Sequence, residues 1–290
     1  MAVLFGVNVS SSAAPGADPV ADAVRAEELG FDFVSASDHP CGTDPTFETW
    51  TMLTWIAAAT SRIRVATRVL GVPYRPPAIV AKMAETLDRL SGGRLVLGLG
   101  GGYSDAEFRA FGLGVPTPRD KVDGLAEAIT ITRGLWSQPA FTFAGRRYRT
   151  EAADLEPKPG HHIPIWVGTY GPRALDLTGR LADGWIPSLG FAPPEQIPPM
   201  RDRIFAAAAA AGREPGEITC VYNVPVRVDE QAENRPGVVS GHPAAVAERL
   251  AALLGLGFTA LNLMPAGPAP DEQVERLATD VIPAVRSAAG

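Results

Sequence analysis

The sequence has few residues of the kinds that build disulfide frameworks and metal centres. Its only two cysteines, Cys41 and Cys220, lie far apart in the chain. Such a pair forms neither a disulfide framework nor a zinc site, and it favours a reducing compartment such as the cytoplasm. The histidines lack the spacing that would place two of them beside a carboxylate on one helix face, so we expect no metal site. They are His39, His161, His162 and His242.

Long apolar runs and an excess of positive charge are also absent. No stretch of about 18 apolar residues occurs, so we expect no membrane-spanning helix. The 32 acidic residues outnumber the 26 basic ones and give a net charge of −6. This balance argues against a nucleic acid or an acidic membrane as partner, since both require a basic surface. The first nine residues contain no basic segment, so we expect no signal peptide and a cytoplasmic protein.

What the sequence does contain is a regular alternation of short apolar runs and helical patterns. Runs typical of strands begin near residues 4, 33, 63, 95, 165, 185, 218 and 260, and helical patterns follow them. Strict alternation predicts a parallel sheet with right-handed crossovers. Eight such pairs predict a (β/α)8 TIM-type barrel formed by residues 1–290 as a single domain. A doubly wound open sheet is the alternative.

Two segments depart from this alternation. Residues 141–143 and 146–148 flank Ala144 and Gly145, and we predict that they form a small hairpin inserted near 141–148. The polar stretch 229–240 is the best candidate for a mobile loop over the site. In a barrel of this type, chemistry collects where strands end and helices begin. Four such junctions are therefore the places to search for a site.

The first two junctions follow the predicted second and third strands. Asp38 is expected either to accept hydrogen bonds from a ligand or to hold His39 in one tautomer. A simple turn before Pro40 is the alternative interpretation. Residues 67–69 close the predicted third strand, and taken alone they indicate nothing more than the end of a strand.

The third junction is rich in glycine. Residues 98–102 contain four glycines and are followed by Tyr103. Glycines allow a backbone to approach a flat ligand closely, although a flexible loop is the alternative. The run does not open a helix directly, so it is a weak dinucleotide-binding signal. Tyr103 and Glu107 are expected either to face a pocket or to belong to the start of the next short helix.

The fourth junction joins a glycine-containing loop to the beginning of a helix. Gly168, Thr169 and Gly171 precede Pro172, and Arg173 lies in the predicted first turn. Free backbone N–H groups and the positive end of the helix dipole favour an anion at such a place. Because a positive charge in the first turn is unfavourable for the helix itself, Arg173 indicates a phosphate. An arginine exposed to solvent is the alternative.

At these junctions the chain resembles the luciferase-like monooxygenase family, especially the branch that uses the deazaflavin coenzyme F420. The similarity runs nearly end to end. Residues 77–94 are similar to the third helix and fourth strand of that branch, and residues 168–175 and 179–185 to its phosphate loop and next strand. Members that use flavin mononucleotide (FMN) share the fold. The resemblance implies a barrel enzyme with a small-molecule substrate, and family members commonly form homodimers.

The resemblance also implies roles for individual residues. Asp38 would lie against the deazaflavin ring, and Thr67 with the Arg68–Val69 peptide would fall where the family often has a non-prolyl cis bond under the ring. The residues that would line the cofactor or bind its phosphate are Gly100, Gly101, Tyr103, Gly168, Thr169, Gly171 and Arg173.

Three positions depart from the family pattern. Arg68 stands where the family often has a small residue. The run 75–77, which is Arg-Pro-Pro, replaces an arginine-histidine-proline run and lacks one polar group. Tyr103 stands where a tryptophan is often seen.

We therefore expect hydride transfer between the deazaflavin and a small organic substrate, with His39 or Glu107 moving the accompanying proton. Within the family, the alternative is an FMN-dependent monooxygenase that activates oxygen. Outside the family, an aldolase or isomerase barrel with a phosphate ligand and a non-catalytic cofactor-binding protein both stay open. None of the three lysines falls at the carboxyl end of a predicted strand, which argues against a Schiff-base aldolase. The sequence does not identify the substrate.

Overall fold

Parallel strands closed into a barrel form the centre of the molecule. The computed structural model describes residues 3–230 and 237–289. Within them, eight parallel strands pair in chain order and the eighth returns to the first, which confirms the predicted (β/α)8 TIM-type barrel. These strands are β1 (Leu4–Asn8), β2 (Phe33–Ala36), β3 (Arg64–Thr67), β4 (Leu95–Gly100), β5 (Ile165–Val167), β6 (Gly184–Trp185), β7 (Thr219–Val228) and β8 (Ala260–Pro265).

Helices cover the outside of the barrel. The third helix shows how local chemistry sets their limits: Pro77 occupies its first position, where the missing N–H costs nothing, and Gly92 ends it in the left-handed conformation. No helix of the described residues is long and apolar enough to cross a membrane. The helices are α1 (Pro19–Glu28), α2 (Thr49–Ala59), α3 (Pro77–Ser91), α4 (Asp105–Ala110), α5 (Pro118–Ser137), α6 (Pro172–Leu181), α7 (Ile197–Ala210), α8 (Pro243–Leu254), α9 (Pro270–Arg276) and α10 (Ile282–Ala289), with a π-helical stretch (Leu277–Val281) before the last.

The barrel interior changes from apolar to polar along its axis. Alternate strand residues point inward, and one cluster of inward side chains fills the lower part; it includes Phe33, Trp166 and Val221. One step further along the strands the inward positions carry polar side chains instead. These are Asn8, Ser35, Asn223 and Asn262. The apolar cluster therefore lies below a layer of four polar side chains, which faces the carboxyl ends of the strands. We call this layer the polar floor.

The inserted hairpin is present, but its second strand begins later than predicted. Its strands are Phe141–Ala144 and Arg149–Ala153, not residues 146–148. The carboxylate of Glu127 on α5 accepts the backbone N–H groups of residues 146, 147 and 148 at 2.8 Å each. Those residues consequently turn around a side chain and are unavailable to a strand ladder.

The predicted third strand, residues 63–69, is divided in the structure. The barrel strand ends at Thr67, the Arg68–Val69 peptide is cis, and a short strand (Leu70–Gly71) pairs with the end of β4. The predicted mobile loop 229–240 lies in part outside the described residues, since 231–236 are not among them. Its last residues belong to a short strand (Val239–Gly241) that pairs with β7.

Candidate functional site

A pocket of about 450 Å³ opens above the polar floor, at the carboxyl ends of the strands. Its lining comes from segments that follow β2, β3, β4, β5 and β6, together with Asn223 of β7. This is the face where parallel barrels carry their active sites. Of the predicted site residues, those that line this pocket are Asp38, His39, Arg68, Val69, Gly100, Gly101, Tyr103 and Gly168.

One wall of the pocket consists mainly of backbone. A Cβ on Gly100 would lie 2.6 Å from Cγ2 of Val69, and one on Gly168 would lie 3.4 Å from the same atom. Val69 fills the space where those side chains would otherwise stand, so this wall consists of the Val69 side chain and the backbone of the neighbouring glycines. A wall with so few side chains suits the close approach of a planar ring. The residues present therefore fit the ring system that the resemblance implies.

Asp38 is held by groups of the neighbouring junction. Its buried carboxylate accepts two hydrogen bonds from Arg75, of 2.8 and 3.0 Å, and one of 2.9 Å from the backbone N–H of Gly71. Arg75 also pairs with Glu48, which caps α2. Burial lowers the pKa of Arg75, but its hydrogen bonds to Asp38 and Glu48 raise it overall. Asp38 therefore ties two loops together besides lining the pocket.

His39 and Glu107, predicted separately as proton-transfer groups, lie in direct contact. Nδ1 of His39 is 2.9 Å from Oε1 of Glu107, and the hydroxyl of Tyr74 donates to Oε2 at 2.5 Å. A carboxylate only accepts hydrogen bonds, so Nδ1 carries a proton and, in the neutral imidazole, Nε2 is left free to accept one. Burial and the bond to Glu107 raise the pKa of Tyr74, which keeps this hydroxyl protonated. The His39 imidazole is half exposed and lines the pocket.

The polar floor is a connected network. Ser35 donates to Asn262 at 3.0 Å, and Asn262 donates to Asn223 at 2.7 Å. Asn223 in turn donates to Ser188 at 3.1 Å, beyond β6. Arg68 lies beside this network and donates from Nε to Asn8 at 2.9 Å. A floor whose buried groups are joined in this way is rigid and orients the groups above it.

The two predicted threonine ligands point away from the pocket. The hydroxyl of Thr67 bonds to both the N–H and the carbonyl of Gly98, and that of Thr169 lies 2.7 Å from the hydroxyl of Thr178. Both side chains are buried and neither lines the pocket. Thr67 instead fixes the spacing of β3 and β4, and any contact of Thr169 with a ligand would have to come from its backbone.

The structure also corrects the interpretation of Arg173. Its guanidinium bonds to Asp123 of α5 at 2.8 Å, on the outer surface between helices rather than in the pocket. The anion that offsets its unfavourable position in the first turn is thus a carboxylate of the protein. Gly171 does not line the pocket either, but it precedes α6, and no side chain of the described residues caps that helix. Phosphate binding by the loop stays a prediction that depends on backbone groups.

Among the site residues that the sequence did not predict, three hold or connect its polar groups. They are Tyr74 and Arg75, which hold Glu107 and Asp38, and Asn223 of the floor. Asn223 leaves a signal in the sequence, since an amide in the middle of the apolar run 218–228 is unusual for a strand. Tyr74 and Arg75 belong to the loop after β3, whose path the sequence does not specify.

Comparison with known proteins identifies the relatives of this chain. A family model described as luciferase-like monooxygenase matches residues 2–236. The chain belongs to the luciferase-like monooxygenase family. An F420-dependent glucose-6-phosphate dehydrogenase of Nakamurella multipartita is 34% identical over 243 residues, which cover 80% of this chain and 69% of that protein.

Solved structures of other proteins share the fold. An F420-dependent secondary alcohol dehydrogenase in complex with an F420–acetone adduct superposes with a TM-score of 0.89 at 21% identity, covering 98% of this chain and 99% of that one. The oxygenating constituent of 3,6-diketocamphane monooxygenase from Pseudomonas putida, in complex with FMN, gives 0.78 at 18% identity, with coverage of 98% and 99%. At these identities the two superpositions establish the barrel and leave the choice of cofactor open.

Proposed function

We propose that this protein is a coenzyme F420-dependent oxidoreductase that moves a hydride between the deazaflavin and the hydroxyl-bearing carbon of a small organic substrate. The observation that carries the proposal is the juxtaposition, in one pocket, of a wall formed mainly by backbone and the imidazole of His39, which Glu107 holds in place. The F420-dependent relative from Nakamurella multipartita supports the choice of cofactor. When bound, the deazaflavin supplies a carbon that accepts or returns the hydride.

In this proposal the chain's own residues position the reactants and move the proton. Nε2 of His39 accepts the proton of the substrate hydroxyl while the carbon loses its hydride, and the product is a carbonyl compound. Glu107 holds the imidazole in that tautomer, and Tyr74 fixes Glu107 from the other side. Gly100, Gly168 and the Arg68–Val69 peptide would hold the ring, beside Asp38. Backbone groups of residues 168–171 would bind the phosphate.

Cofactor choice is tested by mixing the purified apoprotein with coenzyme F420 and with FMN in separate titrations. We expect the deazaflavin to bind, and we expect its absorbance to change when a panel of small alcohols, sugars and hydroxy acids is added. Tight binding of FMN and none of F420 would contradict the proposal. Flavin-dependent oxygen uptake would then favour the alternative, an FMN-dependent monooxygenase, whose fold this chain also shares.

We further propose that residues 1–290 form one domain and that the protein is a homodimer. One core cluster joins residues as distant in sequence as Phe5 and Val285, which supports a single domain. Helix α2 contains no charged residue, and its exposed face carries Trp55, whose surface is 70% accessible. Such an uncharged face is typical of helices covered on both sides.

The dimer prediction is checked by light scattering. We expect the wild type to have twice the mass of one chain, and Trp55→Glu to be monomeric because a charge would be buried at the interface. Glu151, on an exposed strand of the hairpin, provides a matched control as Glu151→Gln. A monomeric wild type at micromolar concentration would refute the homodimer.

A further inference from the structure

Arg68 brings a positive charge into the pocket without a negative partner. Its side chain is half-buried and lines the pocket, and its only hydrogen bond to residues 3–230 and 237–289 joins Nε to Oδ1 of Asn8. Within those residues its two terminal nitrogens have no hydrogen bond and no ion pair. Burial lowers the pKa of Arg68 to about 10, which still leaves the guanidinium charged at neutral pH.

The carboxylates of the site are already engaged elsewhere. Asp38 is paired with Arg75, and Glu107 accepts hydrogen bonds from Tyr74 and His39. Neither can neutralise Arg68 without breaking these contacts. The charge of Arg68 is therefore unmatched in the described part of the pocket, and an unmatched charge removed from bulk water is costly.

The groups around Arg68 suit a ligand that carries a negative charge. Two adjacent N–H donors of a guanidinium match the two oxygens of a carboxylate. A compact ammonium group, such as that of lysine, lacks this planar arrangement of donors. Tyr170 also lines the pocket, and its hydroxyl accepts a hydrogen bond from the N–H of Ser188 at 3.2 Å, so the hydroxyl proton remains available to a ligand. Burial raises the pKa of Tyr170, and the hydroxyl stays a donor.

We propose that Arg68 is the anion-recognition residue of this pocket, and that the ligand it selects carries a carboxylate or a similarly planar anionic group. Two sources have this chemistry: the carboxylate of a small acidic substrate, and the oxygen- and nitrogen-rich edge of a reduced deazaflavin ring. The choice between these sources rests on the proposed function. The existence of an anion site does not, since it depends only on the unmatched charge.

The anion site is tested on the full-length apoprotein with acetate and benzoate, and with acetamide and benzamide as neutral counterparts. We expect the acids, and not the amides, to raise the melting temperature of the wild type. Arg68→Met should weaken carboxylate affinity about tenfold or more, and Arg68→Lys by less, because lysine keeps the charge and loses the planar fork. Arg173→Ala, which removes an exposed arginine outside the pocket, should leave the affinity unchanged. Equal affinities in the wild type and both Arg68 variants would overturn the proposal, as would no response to any acid.

The two sources are separated by titrating coenzyme F420, oxidised and reduced, into the wild type and Arg68→Met without added acids. A loss of affinity confined to the reduced form assigns the anion to the ring. Unchanged coenzyme affinity with weakened carboxylate binding assigns it to a substrate. If neither F420 nor FMN binds while carboxylates bind through Arg68, the anion site stands and the proposed function fails. The comparison of Arg68→Lys with the wild type decides the question if Arg68→Met does not fold.

Discussion

Replacing His39 with Gln is expected to slow hydride transfer by about 10²–10⁴-fold in single-turnover measurements on the F420-loaded enzyme. The imidazole lines the pocket, and Nε2 is the atom left free to take the substrate proton. Since the ring is half exposed, its loss should change the folding stability little. The measurement is stopped-flow absorbance of the deazaflavin with whichever alcohol turns over in the panel, and cofactor affinity is determined separately by fluorescence.

The pairing of His39 with Glu107 makes a second, sharper expectation possible. Groups that act as one unit give non-additive losses, because removing either partner disables both. Glu107→Gln should therefore lower kcat with little change in KM, and the double variant His39→Gln/Glu107→Gln should be scarcely slower than His39→Gln alone. If the two losses instead multiply, Glu107 acts independently of His39, and its assignment as a positioning residue is wrong. Arg173→Ala serves as the control for non-specific effects.

The sequence specified the barrel because barrel strands are local and periodic. Each short apolar run is bounded by turn-forming residues, and eight of them with intervening helices leave few topologies open. The two wrong boundaries coincide with features that hydrophobic periodicity does not encode. Residues 146–148 turn around Glu127, about 20 residues earlier in the chain, and the predicted third strand is interrupted after Thr67 by a cis peptide. Neither feature is visible in the periodicity of a single segment.

The site was predictable where it depends on strand ends and not where it depends on side-chain direction. Asp38, His39 and Gly100 line one pocket because the carboxyl ends of parallel strands converge. Arg173 was misplaced because the helix-dipole argument considers only its own helix, whereas Asp123 reaches it from the preceding one. Long-range pairs of this kind require the relative placement of helices, which no local pattern contains.

Arg75 shows that a buried carboxylate can be used to predict its positively charged partner. The run 75–77 keeps the arginine of the family run and lacks its histidine, and the retained guanidinium donates two hydrogen bonds to the buried carboxylate of Asp38. A buried carboxylate needs a cation or several donors, and any sequence that places an aspartate at a strand end in a closed pocket implies such a partner. The nearest arginine on the adjacent loop is the natural candidate. This reasoning also singles out Arg68, which has no such carboxylate among the described residues.

Replacing Asp38 with Ala is expected to lower the free energy of unfolding of the apoprotein by about 3–5 kcal/mol. The Asp38 side chain is fully buried and that of Arg75 is 14% exposed, so the change leaves a guanidinium largely shielded from water. It also removes the acceptor of the Gly71 N–H. The contact between Arg75 and Glu48 remains, which places the expected loss toward the lower end of this range.

Urea unfolding monitored by circular dichroism measures this loss, as a lower midpoint at an unchanged slope. Arg173→Ala is the matched control, because it breaks an arginine–aspartate pair whose arginine is 60% exposed and should cost less than about 1 kcal/mol. Asp38→Asn combined with Arg75→Gln removes both charges at once and should recover part of the stability lost in Asp38→Ala. If Asp38→Ala lowers the free energy of unfolding by no more than Arg173→Ala does, Asp38 does not hold the two loops together. Its carboxylate would then matter only to a ligand, and the double substitution would offer no recovery.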